Sequence, residues 1–428
     1  MAARYWVGGT GTWDSSTTTH WSASSGGAGG ASVPGTGDTV TINSSSGTGT
    51  ITLSVSPTIQ TLSLVGYAGT LAWGTNTISL NSTGIVFQPD STYTQTGTPS
   101  INIITGGSTA ISVKPNGIPA VPYNLTITGG SYAFTFDSSV NSSYLNNLVF
   151  SSFTGSVASS GYTYIAGNLT IPAGISIFPG NFQFVPVANG SFTVDTNNVA
   201  LTNVIFNSSG YTATWTFLSN YTGVSGSTSF NAGSYNFNGK TISVNALSVG
   251  SNSSITFNGS TLAVSGSATF NASSTLTAGT GSAILSMTSA SSKTLTGGGK
   301  TFPLTLSNDG AGTLTITGAN TFNGITNTVQ PTAFVFPSST TQTVTNWNVS
   351  GTSGNLVTIT SSIAGTAATL SKSSGTVSSN YLSLKDSTAT GGASWYAGAN
   401  STNVSNNTGW IFTAPPGGAV NGNFFFMF

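Results

Sequence analysis

The sequence predicts an all-β chain wound as a parallel β-solenoid. Three observations point there: a strand-forming composition, an apolar pattern of period two, and an internal repeat of about 20 residues. The chain has 428 residues, with 24 Phe, 13 Tyr and abundant Val, Ile and Thr, all of which favour strands. The good helix formers are scarce, and glutamate is absent.

The same composition excludes several classes. Only 3% of residues are charged, against about 25% in an ordinary soluble domain. No stretch approaches the ~18 apolar residues of a spanning helix, so no membrane span is expected. The many aromatic and β-branched residues argue against disorder. A formal net charge of zero leaves no electrostatic footprint for nucleic acid. Without cysteine there is neither a disulfide framework nor a thiolate metal site, and one histidine, His20, cannot build a His-based one. No cofactor is expected. The start, "MAARYWVGGTGT", lacks the 7–15-residue apolar core of a secretory signal, so export by that route is not expected.

The repeat is clearest over 239–278. With "GKTISVNALSVGSNSSITFN" set on "GSTLAVSGSATFNASSTLTA", Ile242 and Val244 fall on Leu262 and Val264. Val249 comes within one position of Phe270, and Ile255 within one of Leu276. Each unit holds three short alternating segments separated by Gly, Ser and Asn. Three strands and three turns make one coil, with alternate apolar residues inward and Ser or Thr outward. One coil cannot bury its apolar face alone, and stacking supplies the core.

The alternative is a set of tandem antiparallel β-sandwiches. It predicts hairpin signals, and Asn-Gly does occur at 116–117, 189–190, 238–239, 258–259 and 323–324. If 39–412 is all coiled, a 20-residue period gives roughly 18 coils rising ~4.8 Å each, a rod on the order of 90 Å long. "KPNGIPAVP" (114–122) and "VQPTAFVFP" (329–337) are candidate sub-boundaries. Residues 413–428 read as a linker, "TAPPGGAVNGN", followed by an aromatic peg.

Residues 1–38 read as an N-terminal cap. An open solenoid exposes strand edges and core at its ends, and Tyr5, Trp6, Trp13 and Trp21 would seal the first coil. The sharper reading makes these rings a docking or saccharide platform. At the other end, Phe424, Phe425, Phe426, Met427 and Phe428 are too few to span a membrane. They either fold back over the last coil or enter a pocket on a sister chain or a virion partner.

The seven acids are scattered. A glycosidase needs two carboxyl groups about 5–9.5 Å apart; Asp14 and Asp38, or Asp90 and Asp137, are the nearest candidates by coil spacing. A triad drawn through His20 lacks a G-x-S-x-G elbow. Catalysis is not expected. Sequons at Asn43, Asn81, Asn124, Asn168, Asn252 and Asn271 read as outer-surface ladders of stacked amides and hydroxyls. A neutral, charge-poor surface favours self-association.

Three stretches carry a resemblance. "RYWVGGTGTWDSSTTTHWSASSGGAGGASVPGTGDTVTI" resembles the opening module of many phage structural proteins and bacterial surface proteins. "YLSLKDSTATGGASWYAGANSTNVSNNTGWIF" (381–412) looks like the closing module of the same phage-type proteins. "GAGTLTITGANTFNG" (310–324) is similar to coils of autotransporter passengers. The resemblance implies a β-helical appendage of a tailed bacteriophage, located in the virion: a tail fibre, tail spike or head appendage. It brings no active site. A homotrimer, contacts with other virion proteins and contact with a host-surface glycan are implied by it alone. An autotransporter would need a C-terminal membrane barrel, and no such strand pattern follows Phe412. A secreted adhesin or surface-layer protein and a polysaccharide depolymerase are the other two readings.

Overall fold

A computed structural model describes residues 1–416 except 91, 105–110, 114–121, 138–142, 160, 176, 179 and 180. The aromatic peg Phe424–Phe428 and the Pro-rich segment 114–121 lie outside the described residues. The chain divides into two compact units, Met1–Lys240 and Thr241–Phe428. Both are all-β and built of stacked parallel strands, giving a β-solenoid of about 15 turns.

In the first unit, three strand columns form the faces. One runs Ala2–Trp6, Asp38–Thr41, Thr61–Ser63, Gly84–Gln88, Ile111–Val113, Ala133–Phe136 and Ser156–Ser159, each parallel to the last. A second stacks Gly11–Trp13, Thr50–Leu53, Thr70–Ala72 and Thr94–Thr96. The third begins Thr58–Ile59, Thr77–Leu80, Ser100–Ile103 and Tyr123–Thr128. Residues 2–13 are therefore already the first turn, not only its cover.

In the second unit the strand Thr241–Thr256 bends through most of one turn. Its partners are those the sequence repeat names: Ile242 faces Leu262, Val244 faces Val264, Val249 faces Phe270 and Ile255 faces Leu276. Ile242, Val244, Leu247, Val249 and Ile255 are buried, joined by one polar residue, Ser253, while the other residues between them are not. This period-two burial is what a strand with one face on a core requires.

The parallel pairing rules out tandem antiparallel sandwiches. Asn-Gly misleads because at 238–239 and 258–259 it makes tight turns without making hairpins, and at 323–324 it lies within the strand Thr321–Asn327. Asn238 and Asn258 sit at φ 54° and 51°, and Gly239 and Gly259 at 70° and 77°. Lys240 N–H donates to the Phe237 carbonyl (2.9 Å) and Ser260 N–H to that of Phe257 (3.1 Å). Two left-handed residues in a row are the geometry of the primed turn that Asn-Gly prefers. In this chain the turn is a solenoid corner, and the next strand pairs one coil away.

The 20-residue period also overcounts the turns. Thr241 faces Thr261, but Thr332 faces Val357. Corners elsewhere take extra residues, so the same length makes about 15 turns and not 18. "VQPTAFVFP" contributes an ordinary strand, Thr332–Phe336, with Phe334 and Phe336 buried.

Aromatic rings stack inside each unit in step with the coils. Phe206 lies between Phe184 (4.4 Å, 10° between planes) and Phe230 (5.1 Å, 16°). In the second unit Phe302 stacks on Phe322 at 5.0 Å and 12°. Burying one such ring contributes about 1.5–3 kcal/mol. Amides relay between coils in the first unit. Asn146 and Asn147 both donate to the Asn124 side chain (3.0 and 2.7 Å), Asn147 accepts from Asn168 N–H (2.7 Å), and Asn168 accepts from Thr193 N–H (2.7 Å). The sequon residues Asn124 and Asn168 are thus rungs of an amide ladder.

Candidate functional site

The densest chemistry among the described residues is at the N-terminal end. Trp6 closes the first strand with its side chain inward. Gly8 and Gly9, at φ 86° and 69°, turn the chain back. Trp21–Ser22 then pairs antiparallel with Tyr5–Trp6, covering the edge that a first strand would otherwise leave open.

The indole of Trp21 meets Trp6 edge-on (5.1 Å, 89°) and Trp13 likewise (5.0 Å, 71°). The His20 imidazole lies flat against Trp6, 4.7 Å away and 2° from parallel. Its Nδ1 is 3.0 Å from the Val7 carbonyl, which can only accept, so Nδ1 carries the proton. Trp6 Nε1–H donates to the Gly9 carbonyl at 2.8 Å. Trp21 Nε1 is buried with no partner, a cost of about 1–3 kcal/mol that the ring packing must exceed.

The one arginine ties the following loop down. Arg4 donates to the Ser32 carbonyl (2.9 Å) and hydroxyl (2.7 Å), and lies 3.9 Å from Asp38. Asp38 in turn accepts from Ala2 N–H and Gly35 N–H, both at 3.1 Å. Trp6, Trp13 and Trp21 are 0%, 1% and 0% exposed, so none offers a face to a sugar. Tyr5 is half-buried.

A second aromatic cluster sits in the other unit. Trp347, Trp395 and Trp410 meet at 5.2–6.3 Å between ring centres. All three indole N–H groups donate, to Ser379, the Thr390 carbonyl and Ser387. Trp395 and Trp410 are the tryptophans of the "GASWYAG" and "GWIF" stretches.

The acids brace turns. Asp14 accepts from Ser16 and Thr17, and the Thr17 N–H chiefly holds its carboxyl below the usual range. Asp90 accepts from Gly66 N–H at 2.7 Å. Asp195 accepts from Asn197 N–H. Asp309 takes the hydroxyls of Ser286, Ser307 and Thr328. Asp386 takes Asn406 Nδ2–H and Gly365 N–H, which lower its pKa in that order. Among the described residues no three His, Cys, Asp or Glu gather into a metal-sized group, and no helix is long and apolar enough to cross a membrane.

Two lysines are buried against the usual preference of a charged side chain for water. Lys293 is 2% exposed and donates to the carbonyls of Ser289 (2.8 Å) and Gly312 (3.0 Å). Burial pulls its pKa down to about 8, partly offset by Asp309. Lys300 is 7% exposed and donates to Ala272 and Ser274 carbonyls. In Lys293–Thr296 the alternation puts Lys293 on the same inward face as Leu295, a placement readable from period two alone.

No family model matches the chain, and no curated protein or solved structure is significantly similar to it.

Proposed function

We propose that this chain is a non-enzymatic structural protein of a tailed-phage virion, a tail fibre, tail spike or head appendage acting as a stiff attachment element. What supports the reading is the use of its polar chemistry: Asp14, Asp90, Asp309 and Asp386, the lysines Lys293 and Lys300, and amides such as Asn124 and Asn168 are committed to turns and rungs, and Trp6, Trp13 and Trp21 are enclosed. The mechanism is mechanical. Backbone ladders and the apolar interior give stiffness, and a surface with few charges favours association with sister chains, as a homotrimer, and with other virion proteins. The phage assignment itself rests on the likeness of the opening and closing stretches to phage structural modules.

Immunogold electron microscopy of purified particles carrying a C-terminally tagged chain tests this. Label on the tail or head supports the proposal. Particles that never carry label, with the protein recovered from the cell surface, would overturn it in favour of an adhesin or surface-layer protein. Release of reducing ends from a polysaccharide, lost in an Asp→Asn scan, would overturn the non-enzymatic part.

A further inference from the structure

The open aromatic face is on the flank of the first unit and not at its end. The strands Ser143–Ser151, Tyr162–Ile165, Asn181–Phe184 and Val204–Asn207 stack in parallel. In each, alternate residues point inward: Leu145, Thr163, Ile165, Phe182, Phe184, Val204 and Phe206 are buried. The residues between them point outward. Tyr144 is in register with Tyr164, which is in register with Gln183. Beside this column Tyr162 is in register with Asn181, which accepts from Asn203 Nδ2–H at 3.0 Å. Tyr144 and Tyr164 are half-buried, and Tyr162 is 44% exposed.

The rings are organised relative to one another. Tyr162 and Tyr164 stack at 6.1 Å and 26°, and Tyr144 and Tyr164 lie 5.8 Å apart at 55°. They form a short aromatic strip with amides continuing it one and two coils further on. No Asp, Lys or Arg occurs in any of these four strands.

We propose that Tyr144, Tyr162 and Tyr164, with Asn181, Gln183 and Asn203, form a binding face for a neutral polysaccharide. A pyranose ring presents C–H groups on its face and hydroxyls at its rim. Tyrosine rings offer rigid, amphipathic area for the first at low conformational cost, and side-chain amides donate to and accept from the second. The lack of any cation on these strands disfavours an acidic glycan or a phosphate, which would call for Lys or Arg. A permanent contact with a second copy would call for a more uniformly apolar patch than one alternating rings with amides. The proposal goes beyond the structural role above and holds wherever on a particle, or off it, the chain resides.

The test is a printed array of dextran, mannan, galactan, xylan and β-glucan, with hyaluronan and polygalacturonate as acidic controls, probed with the full chain. Binding to at least one neutral polymer and to neither acidic control is expected. The variant Y144A/Y162A/Y164A should lose that binding while keeping its circular dichroism spectrum and sedimentation coefficient. Y162F/Y164F, which keeps the ring faces, should retain it. Absence of binding to every neutral polymer, undiminished binding by the triple variant, or a triple variant that sediments as a smaller species would each overturn the proposal. The last would make the strip a subunit contact.

Discussion

The imidazole of His20 lies parallel to the indole of Trp6, 4.7 Å from it, with Trp21 against Trp6 at a right angle. This packing leaves no space. A methyl group added at Gly11 would overlap the His20 ring. Gly11→Ala should destabilise the first unit by about 1–3 kcal/mol through overpacking, and Trp21→Ala by about 3–5 kcal/mol through the cavity it leaves. Urea unfolding followed by tryptophan fluorescence reads both.

The corner at Asn258-Gly259 holds two consecutive left-handed residues, and the Asn258 side chain accepts from Thr280 N–H at 3.0 Å. Gly259→Val places a β-branched residue at φ 77°, costing about 1–2 kcal/mol or more. Asn258→Gly keeps the backbone and loses the hydrogen bond from Thr280, which costs about 1 kcal/mol. The valine variant should therefore have the lower thermal midpoint, as calorimetry would show.

Lys293 makes stability depend on pH on the alkaline side. Its pKa is about 8 in the fold and about 10.4 in an unfolded chain. Between those values the unfolded chain holds more protons, so stability rises as pH rises. Lys300, also lowered by burial, adds the same sign. Buried tyrosines such as Tyr67, pushed up to about 12, act oppositely once the unfolded phenol ionises, so the clean window is about pH 8 to 9.5. Urea midpoints across that window should climb in the native chain and climb less in Lys293→Met.

Trp395 is 1% exposed and touches both Trp347 and Trp410. Trp395→Ala should cost about 3–5 kcal/mol. The parallel strands Thr376–Ser378, Ser394–Tyr396 and Trp410–Ile411 form the sheet this ring packs under. Hydrogen exchange should show protection lost there first, with Thr241–Thr256 unaffected.

Much of the fold was legible because strand burial has period two and the Ile242/Leu262 repeat is nearly uninterrupted. The register pairs read from sequence are those observed. The turn count was not legible, since corners absorb a variable number of residues without disturbing the strands they join. Asn-Gly pointed to the right turn but not to its partner, because local chemistry fixes a corner and not which strand pairs next. At the candidate site, Trp6, Trp13 and Trp21 were evident as aromatic residues, but their mutual contacts depend on a strand reversal that Gly8 and Gly9 permit. The Tyr144–Tyr164 register was hidden because neither strand belongs to the clear repeat.

Successive turns are parallel and in register. The chain has no cysteine of its own, so an introduced pair reports unambiguously. Ser243 and Ala263 are register partners on the outward face, whereas Val264 is buried on the other. Partners on adjacent strands lie ~4.8 Å apart, within the ~4.4–6.8 Å that a disulfide spans between Cα atoms. Under mild oxidation, Ser243→Cys with Ala263→Cys should form an intrachain disulfide in the folded protein, and Ser243→Cys with Val264→Cys should not. Failure of the first pair, or cross-linking of the second in its place, would contradict the parallel register.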